Sequence, residues 1–598
     1  MMKIVKKDGS HELFNEEKII KAVKKSAERV MVQLTENQLA LICKNVKDLC
    51  TTYRIENETD YVPVSEVHKM VEKSLSKVDQ DVAESYRSYR NYKTDFVQML
   101  DGVYKKAQSI MYLGDKENSN SDSSLVSTKR SLIAGELSKE LYQKFFLTPA
   151  ERLAIKEGFI YIHDMRDRLY TLNCCLADVG AVMKDGFEMG NIWYNEPKTL
   201  DTACDVLGDV IMSMASQEYG GFTVPHVDTI LAYYVEKSYN KYVKEIYNDL
   251  LTYGIDVLDI DESLVKNRAM TKVRRELEQG IQGLEIKLNT VASSRGDYIF
   301  VTFSFGNDTN PFAQLVSETI LKVRKGGQGK KGFEKPVLFP KLCFLYDENI
   351  HGEGKELENL FDLAIECSSK CMYPDFLSLS GDGYVSEMYQ KYGRVVSPMG
   401  CRAYLSPYYE QGGMYPANED DKPVFVGRSN IGAITLHLCL IYQEAKTTNK
   451  DFYELLDYYL EMIRSLHLRT YDYLGQMKAS VNPIGFTQGG FYGGNLDYND
   501  TIESVIKHST ASFGYTALNE LCLLHSGKSI REDNSFAVEV LTYINNKVEQ
   551  FKKEDQRLYA IYGTPAESLV GLQVKQFRDR FGVIEGISDK EYFSNSFH

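Results

Sequence analysis

The sequence predicts an α/β protein in which helices and short buried strands alternate, preceded by a small module of different character. Three observations carry that expectation. Helical stretches at 203–218, 226–250 and 451–475 alternate with apolar runs at Tyr298–Phe305, Val337–Leu345 and Ala433–Leu438. Those runs are too short for helices and sit beside Gly or Pro, as buried strands do. Alternation of this kind implies mostly parallel strands. At 598 residues, the chain also exceeds one ordinary core, so about two to four domains are expected.

Taken in order, residues 1–95 read as a β-hairpin cap over a helical bundle. Ile4-Val5 and Leu13-Phe14 bracket Asp8-Gly9, a hairpin-turn dipeptide. Asn15 has N-cap chemistry, with Glu16 and Glu17 in the first turn, where acidic groups suit the helix dipole. Ile19, Val23, Ala27 and Val30 follow at helical spacing, and a further helix is expected from about Pro63 into Tyr86–Arg90. Residues 96–598 then carry the α/β pattern. Within them, Asn118–Ser127 reads as an exposed loop, and Lys322–Lys335 as a Gly- and Lys-rich loop between a helix and a strand.

Composition narrows the function classes. A net charge of -14 argues against a nucleic-acid-coating surface, though it leaves room for local basic pockets. The N-terminus lacks the apolar region of a signal peptide, and no run approaches a membrane span. Eleven scattered cysteines, an odd number, do not form a secreted disulfide framework. The chain reads as cytoplasmic, with neither membrane nor nucleic acid as a partner.

Chemistry concentrates in a few places. Ser397-Pro-Met-Gly-Cys401-Arg sets one cysteine in a turn framed by Pro398 and Gly400, which suits a loop tip close to a ligand. A lone thiol there is compatible with a nucleophile, a redox sensor or a packing residue. Cys204, Cys343, Cys439 and Cys522 read as small buried hydrophobes. Cys367 and Cys371 share a helix face and read as core, so no metal site is expected. Thr564-Pro565-Ala566-Glu567-Ser568 has the look of a loop entering a helix, whose backbone amides suit phosphate as well as a plain helix start.

The stretch Ile4-Val-Lys6-Lys7-Asp8-Gly9, followed by Phe14-Asn-Glu-Glu-Lys18-Ile19, resembles the ATP-cone, a nucleotide-binding regulatory domain of ribonucleotide reductases. The resemblance implies that Val5, Lys6, Lys7, Gly9, His11, Glu12, Asn15 and Lys18 line its ATP/dATP site. Lys7 stands where the family usually has Arg, which keeps the charge but loses a planar bidentate donor.

The remainder resembles the anaerobic, glycyl-radical class of those reductases. The matching motifs are Tyr161-Ile-His163-Asp164, Leu172-Asn173-Cys174, Gln217-Glu-Tyr-Gly220-Gly221, Phe339-Pro340-Lys341-Leu342 and Lys370-Cys-Met-Tyr373-Pro374-Asp375. The Cys401 loop, Asn430, Gly563–Ser568 and Tyr592–His598 complete them. The resemblance implies a ten-stranded α/β barrel threaded by the Cys401 loop. It implies that Cys401 is a thiyl radical taking the ribose 3′ hydrogen, with Cys174 on the opposite face and Asn430 hydrogen-bonding ribose or reductant. Cys174 is preferred to the adjacent Cys175 because it directly follows Asn173, as in the family. His163, Asn173 and Thr564–Ser568 are the implied substrate-binding residues.

The same resemblance implies ribonucleoside triphosphates as substrates, dNTP effectors, Mg²⁺, and formate as reductant. It also implies a radical-SAM 4Fe–4S activating enzyme and a homodimer or higher homo-oligomer. The family's radical glycine and zinc-binding Cys-x-x-Cys pairs find no match in these residues. They are expected on a disordered C-terminal tail beyond them, or on another polypeptide. Two alternatives stand beside this reading: another glycyl-radical enzyme on the same barrel, of formate-lyase or diol-dehydratase type, and a catalytically inactive nucleotide-sensing regulatory protein. The ATP-cone argues against the first.

Overall fold

The computed structural model describes residues 2–6, 9–30, 32–113, 124–256, 261–290, 298–400, 403–565 and 567–596, apart from the side chains of 29, 88–98 and 567. The chain divides into two compact units, Met1–Ser109 and Ile110–His598.

In the first unit, β1 (Lys3–Val5) and β2 (His11–Leu13) form the antiparallel hairpin expected around Asp8-Gly9, with Gly9 at φ +81. A left-handed turn position of this kind suits glycine. A third strand, β3 (Tyr61–Pro63), runs parallel to β1 and was not anticipated. Three residues ending in proline carry too little pattern to read as a strand. Helix α1 (Glu16–Arg29) is capped by Asn15, whose side chain accepts from the Glu17 N–H at 2.8 Å. Helix α2 (Glu36–Glu56) opens with a capping box from Thr35 and Gln38. The single helix expected from Pro63 to Arg90 is two, α3 (Val64–Leu75) and α4 (Gln80–Leu113). The break falls at Asp79, whose carboxylate caps the new helix by accepting from the Val82 N–H at 2.9 Å. Val23, Ile42, Val46, Val62, Val71 and Leu75 close the core of this unit.

The second unit is built on one sheet. Its strands are β4 (Ile160–Ile162), β5 (Cys174–Leu176), β8 (Phe222–Val224), β9 (Val301–Phe305), β10 (Lys341–Tyr346), β11 (Asp375–Ser378), β14 (Arg428–His437), β15 (Thr510–Thr516) and β16 (Leu558–Gly563). Two small hairpins, β6 (Phe187–Met189) with β7 (Ile192–Tyr194) and β12 (Tyr408–Tyr409) with β13 (Pro423–Val424), lie outside it. The strand order is β11-β10-β9-β8-β5-β14-β15-β16, with β4 also paired to β14. The described residues thus contribute nine strands to this sheet, where ten were expected for the barrel. The order resolves into two parallel runs that meet antiparallel where β5 pairs with β14.

The expected helices appear at Leu200–Ala215, Val227–Thr252 and Phe452–Gly475. The Lys322–Lys335 loop is shorter than read, because the helix Pro311–Gly326 extends into it. Of Asn118–Ser127, residues 118–123 lie outside the described residues, and Val126 already begins the helix Val126–Leu141.

Alternation on the strands sorts side chains between two environments. Phe303, Phe305, Leu342 and Phe344 join the large core shared with helix residues Leu231, Val316 and Ile320. The opposite face carries smaller clusters: Leu176 with Val396, Met399, Leu405 and Phe425, and Cys343 with Leu345, Leu379 and Val395. Residues 395–400 and 403–405 therefore lie along the sheet's inner face. One buried ion pair fixes helix Glu262–Leu288 to helix Pro311–Gly326, with Arg324 Nε 2.9 Å from Glu285 Oε1 and both side chains nearly inaccessible.

Two predictions follow from burial. Glu285→Leu leaves the Arg324 charge buried without its carboxylate, and should cost about 3–5 kcal/mol in urea denaturation; a loss under 1 kcal/mol would contradict this role. Burial also holds His163, His437 and His467 down at about 3, far below an ordinary histidine. Between pH 6.5 and 3 the unfolded chain binds protons that the fold excludes, so stability should fall as pH falls through that window. Each such histidine contributes a slope of ~1.4 kcal/mol per pH unit. Denaturant midpoints at pH 7.5 and 5.0 test the sign, and an unchanged midpoint counts against it.

Candidate active site

The site assembles where β5 crosses from one parallel run to the other. Cys174 opens β5 and stands opposite Asn430 in the antiparallel register with β14. The Asn173 N–H donates to the Asn430 carbonyl at 3.1 Å, and the Asn173 carbonyl accepts from Gly220 at 2.7 Å. The Cys174 thiol donates to Asn173 Oδ1 at 3.3 Å, and its sulfur accepts from the Gly221 N–H at 3.1 Å. Three sequence-predicted residues, Asn173, Cys174 and Asn430, are thereby brought together.

The two vicinal cysteines part company here. Cys174 is half-buried and packs with the inner cluster of Val396, Met399 and Leu405. Cys175 points the other way, fully buried in the large core. Burial first, and the Glu218 carboxylate second, hold its thiol well above the ordinary cysteine value. Such a thiol is poorly suited to ionise.

Glycines 220 and 221 explain how a second backbone approaches. A Cβ on Gly220 would lie 2.2 Å from Asn173 Oδ1 and 2.5 Å from Cys174 Sγ. A Cβ on Gly221 would lie 2.2 Å from the Gly400 Cα. The inner-face segment is held on both sides of this contact. Thr223 Oγ1 donates to the Pro398 carbonyl at 3.0 Å, and Ser304 and Ser397 share a 2.9 Å hydroxyl hydrogen bond. The Met399 N–H donates to the Ala403 carbonyl at 2.9 Å, and the Tyr384 hydroxyl to the Leu405 carbonyl at 2.6 Å. Cys401 and Arg402 themselves lie outside the described residues.

Asn430 sits at a bulge, the register with β15 slipping between Asn430 and Gly432. Its Oδ1 accepts from the Gly432 N–H at 2.7 Å, and its Nδ2 donates to Ser512 Oγ at 2.7 Å. An amide nitrogen has a second hydrogen to offer a ligand. Gly432, at φ +140, makes room for the buried Arg168, whose guanidinium donates to the Ala433 and His163 carbonyls at 2.7 and 2.9 Å. Bulges of this kind re-aim a side chain beside a site. Arg168 escaped the sequence reading, since nothing in Arg166-Asp-Arg168 distinguishes it from solvated charge.

His163, Thr435 and Thr564 form a chain: His163 Nε2 is 2.7 Å from Thr435 Oγ1, which is 2.8 Å from Thr564 Oγ1. Burial first, and then the Arg168 charge, keep the imidazole neutral at neutral pH. Asp164, at φ +53, is solvent-exposed by area, yet burial raises its carboxyl above the ordinary range. Thr564 precedes the helix Glu567–Phe581, as expected. Asn595 Nδ2 donates to the Pro565 carbonyl at 2.8 Å, tying the Tyr592–Ser596 stretch to this loop. Ser568 is exposed, while Ala566 and the Glu567 side chain lie outside the description.

The N-terminal candidates gather separately. Glu12 Oε2 pairs with Lys18 Nζ at 2.6 Å and Lys6 Nζ at 3.0 Å. The Lys18 hydrogen bond first, then that of Lys6, hold its carboxyl below the usual range. His11 meets Tyr61 edge-on at 6.1 Å, Val5 ends β1, and Gly9 forms the exposed turn. Asn15 is engaged as the cap of α1. Lys7 lies outside the described residues.

Comparison with known proteins gives the family and the fold. The anaerobic ribonucleoside-triphosphate reductase (NRDD) family model matches residues 117–598, and the ATP cone domain model matches residues 2–95. The anaerobic ribonucleoside-triphosphate reductase of Haemophilus influenzae is 30% identical over 613 residues, spanning 100% of this chain and 81% of its own. That of Enterobacteria phage T4 is 31% identical over 511 residues, 83% of this chain and 78% of its own. Among solved structures, the Thermotoga maritima anaerobic ribonucleotide reductase in complex with dATP and CTP superposes with a TM-score of 0.54 at 14% identity, covering 84% of this chain and 80% of that one. The same enzyme with MES in its active site gives 0.56 at 15%, covering 85% and 80%. At such identities the structures speak for the shared fold.

Gly220→Ala should destabilise the chain by about 1–3 kcal/mol, because its Cβ would meet the Asn173 amide and Cys174 sulfur. Gly283→Ala, where a Cβ meets nothing within 4 Å, should be neutral or slightly stabilising. Equal urea midpoints for the two variants would refute the crowding account.

Proposed function

Because the chain belongs to the anaerobic ribonucleoside-triphosphate reductase family and carries an N-terminal ATP-cone, we propose that it reduces ribonucleoside triphosphates by thiyl-radical chemistry at Cys401, with formate as reductant. The observation that carries this reading is the juxtaposition of Cys174 and Asn430 with the Gly400 backbone across Gly221. A glycyl radical supplies the unpaired electron that the family's chemistry implies. The backbone contact at Gly221 suits a loop that must bring one thiol to a substrate held near a second.

In this proposal, Cys401 as a thiyl removes the hydrogen atom at C3′. That weakens the bond to the 2′ hydroxyl, which takes up a proton and leaves as water. Cys174 delivers a hydrogen to C2′ to form the new C–H bond and is restored by the hydrogen that formate gives up. Formate furnishes two electrons and becomes carbon dioxide, and Cys401 returns the hydrogen to C3′. The balance is one triphosphate, one formate and one proton giving deoxynucleotide, carbon dioxide and water. Asn430 orients ribose or formate through its remaining N–H. Neutral His163, coupled to Thr435 and Thr564, serves the substrate as an uncharged hydrogen-bonding group. The Thr564–Ser568 helix start receives the triphosphate on backbone amides, with Asn173 lining the ribose. Mg²⁺ accompanies the triphosphate.

Lys6, Lys7 and Lys18, with Val5, Gly9, His11, Glu12 and Asn15, form the proposed ATP/dATP site of the cone. A radical-SAM activating enzyme and a homo-oligomeric state complete the proposal, with Zn²⁺ assigned to a radical-glycine domain outside these residues.

Cys401→Ala in the radical-loaded enzyme should abolish deoxynucleotide formation, and undiminished turnover would sink the assignment. Omitting formate should stop turnover, and labelled formate should yield one carbon dioxide per deoxynucleotide; turnover sustained by thiols alone overturns that part. Deleting residues 1–95 should remove dATP inhibition while leaving reduction possible. Inhibition that persists places the control elsewhere.

A further inference from the structure

Lys341 stands on the inner face of the sheet and Phe300 just ahead of β9, packed against the large core beside Phe339; neither is used by the chemistry above. Lys341 opens β10 and pairs with Thr302 in the β9 register. Thr302 points inward, with its Oγ1 3.5 Å from the Gly400 carbonyl, so Lys341 faces the same side. Lys341 Nζ lies 4.3 Å from the centroid of the half-buried Phe300 ring. Phe300 in turn lies against Gly400: its Cε1 would be 3.2 Å from a Cβ on that residue. Among the described residues no carboxylate forms an ion pair with Lys341.

The main chain at Lys341 is fixed from behind. Arg324 Nη2 donates to the Pro340 carbonyl at 2.7 Å. The Asn289 amide accepts from the Phe339 N–H at 3.0 Å and donates to the Phe339 carbonyl. An ammonium set over an aromatic ring on a rigid stem, without a counter-charge, is placed to donate to a ligand.

The strand order says which part of a ligand arrives there. The proposed triphosphate site follows β16, and the proposed ribose residues lie on β5 and β14. A nucleotide lying across the strand ends in that direction carries its base on toward β8, β9 and β10. With strands about 4.8 Å apart, β9 is roughly 10 Å beyond β5, the length scale of a nucleoside. We infer that Phe300 and Lys341 form the nucleobase subsite, with Phe300 packing on the base and Lys341 donating to the acceptor beside the glycosidic bond. That acceptor is O2 in pyrimidines and N3 in purines. All four bases have it, so the contact gives affinity without choosing among them. The inference rests on the substrate placement proposed above.

Alkylation of Cys174 in the full-length protein reads occupancy of this site directly, without a radical. The nucleotide concentration that half-protects Cys174 is measured with CTP and with ribose 5-triphosphate, which lacks a base. Lys341→Met should raise the CTP value about tenfold, the loss of one hydrogen bond from a charged donor, and leave ribose 5-triphosphate within about twofold. Lys341→Arg keeps the charge and should retain most CTP protection. Equal losses for both ligands, or no change with CTP, overturn the base assignment. Absence of protection by either ligand in the unaltered protein overturns the substrate placement itself, and this inference with it.

Discussion

Two glycines without side chains decide how close this active site can be drawn. Gly220 lies against the Asn173 amide and the Cys174 sulfur, and Gly221 against the Gly400 backbone, each closer than any Cβ permits. The Gly221 N–H also touches Cys174 Sγ, so the short segment leading into β8 fixes a sulfur and the Gly400 backbone together. Rigid neighbours make this contact reproducible. Thr223 and Ser304 hold the segment from the sheet, and Tyr384 holds it from the far side. Packed interiors transmit small displacements instead of absorbing them.

Around that contact, buried polar groups are matched to backbone instead of to opposite charges. Arg168 takes two carbonyls at the β14 bulge, while Arg428 takes three, from His508, Ser406 and Val424. Burial, only partly countered by neighbouring tyrosines, draws the Arg428 guanidinium down to about 10. A guanidinium with five N–H groups can tie separate segments where a single hydrogen bond could not. The two arginines thus brace both ends of the stretch 428–433 that carries Asn430. The histidines nearby are kept neutral by the same burial, which favours hydrogen bonding over charge there.

Local chemistry made several elements legible in advance. The hairpin turn at Gly9, the Asn15 cap and the helix entered after Thr564 are each specified by residues nearby in the chain. The apolar runs became β9, β10 and part of β14 because only strands bury so short a segment on both faces. The break between α3 and α4 escaped notice, since apolar spacing continues across it and only Asp79 marks the new cap. β3 escaped because its pairing with β1 bridges residues 58 positions apart, as between Lys3 and Tyr61.

By itself, the sequence determined the alternating α/β class, the separate N-terminal module, and a set of motif residues whose order resembles one reductase family. These follow from periodicity, turn chemistry and residue type, all local properties of a chain. Which cysteine of the pair faces inward was decided only by strand register, because successive side chains on a strand point to opposite faces. The meeting of Asn430 with Cys174, the chain from His163 through Thr435 to Thr564, and the approach of Lys341 to Phe300 likewise needed the sheet to order its strands. Hydrogen bonds across hundreds of residues carry no local signature, so tertiary structure alone brings those partners together.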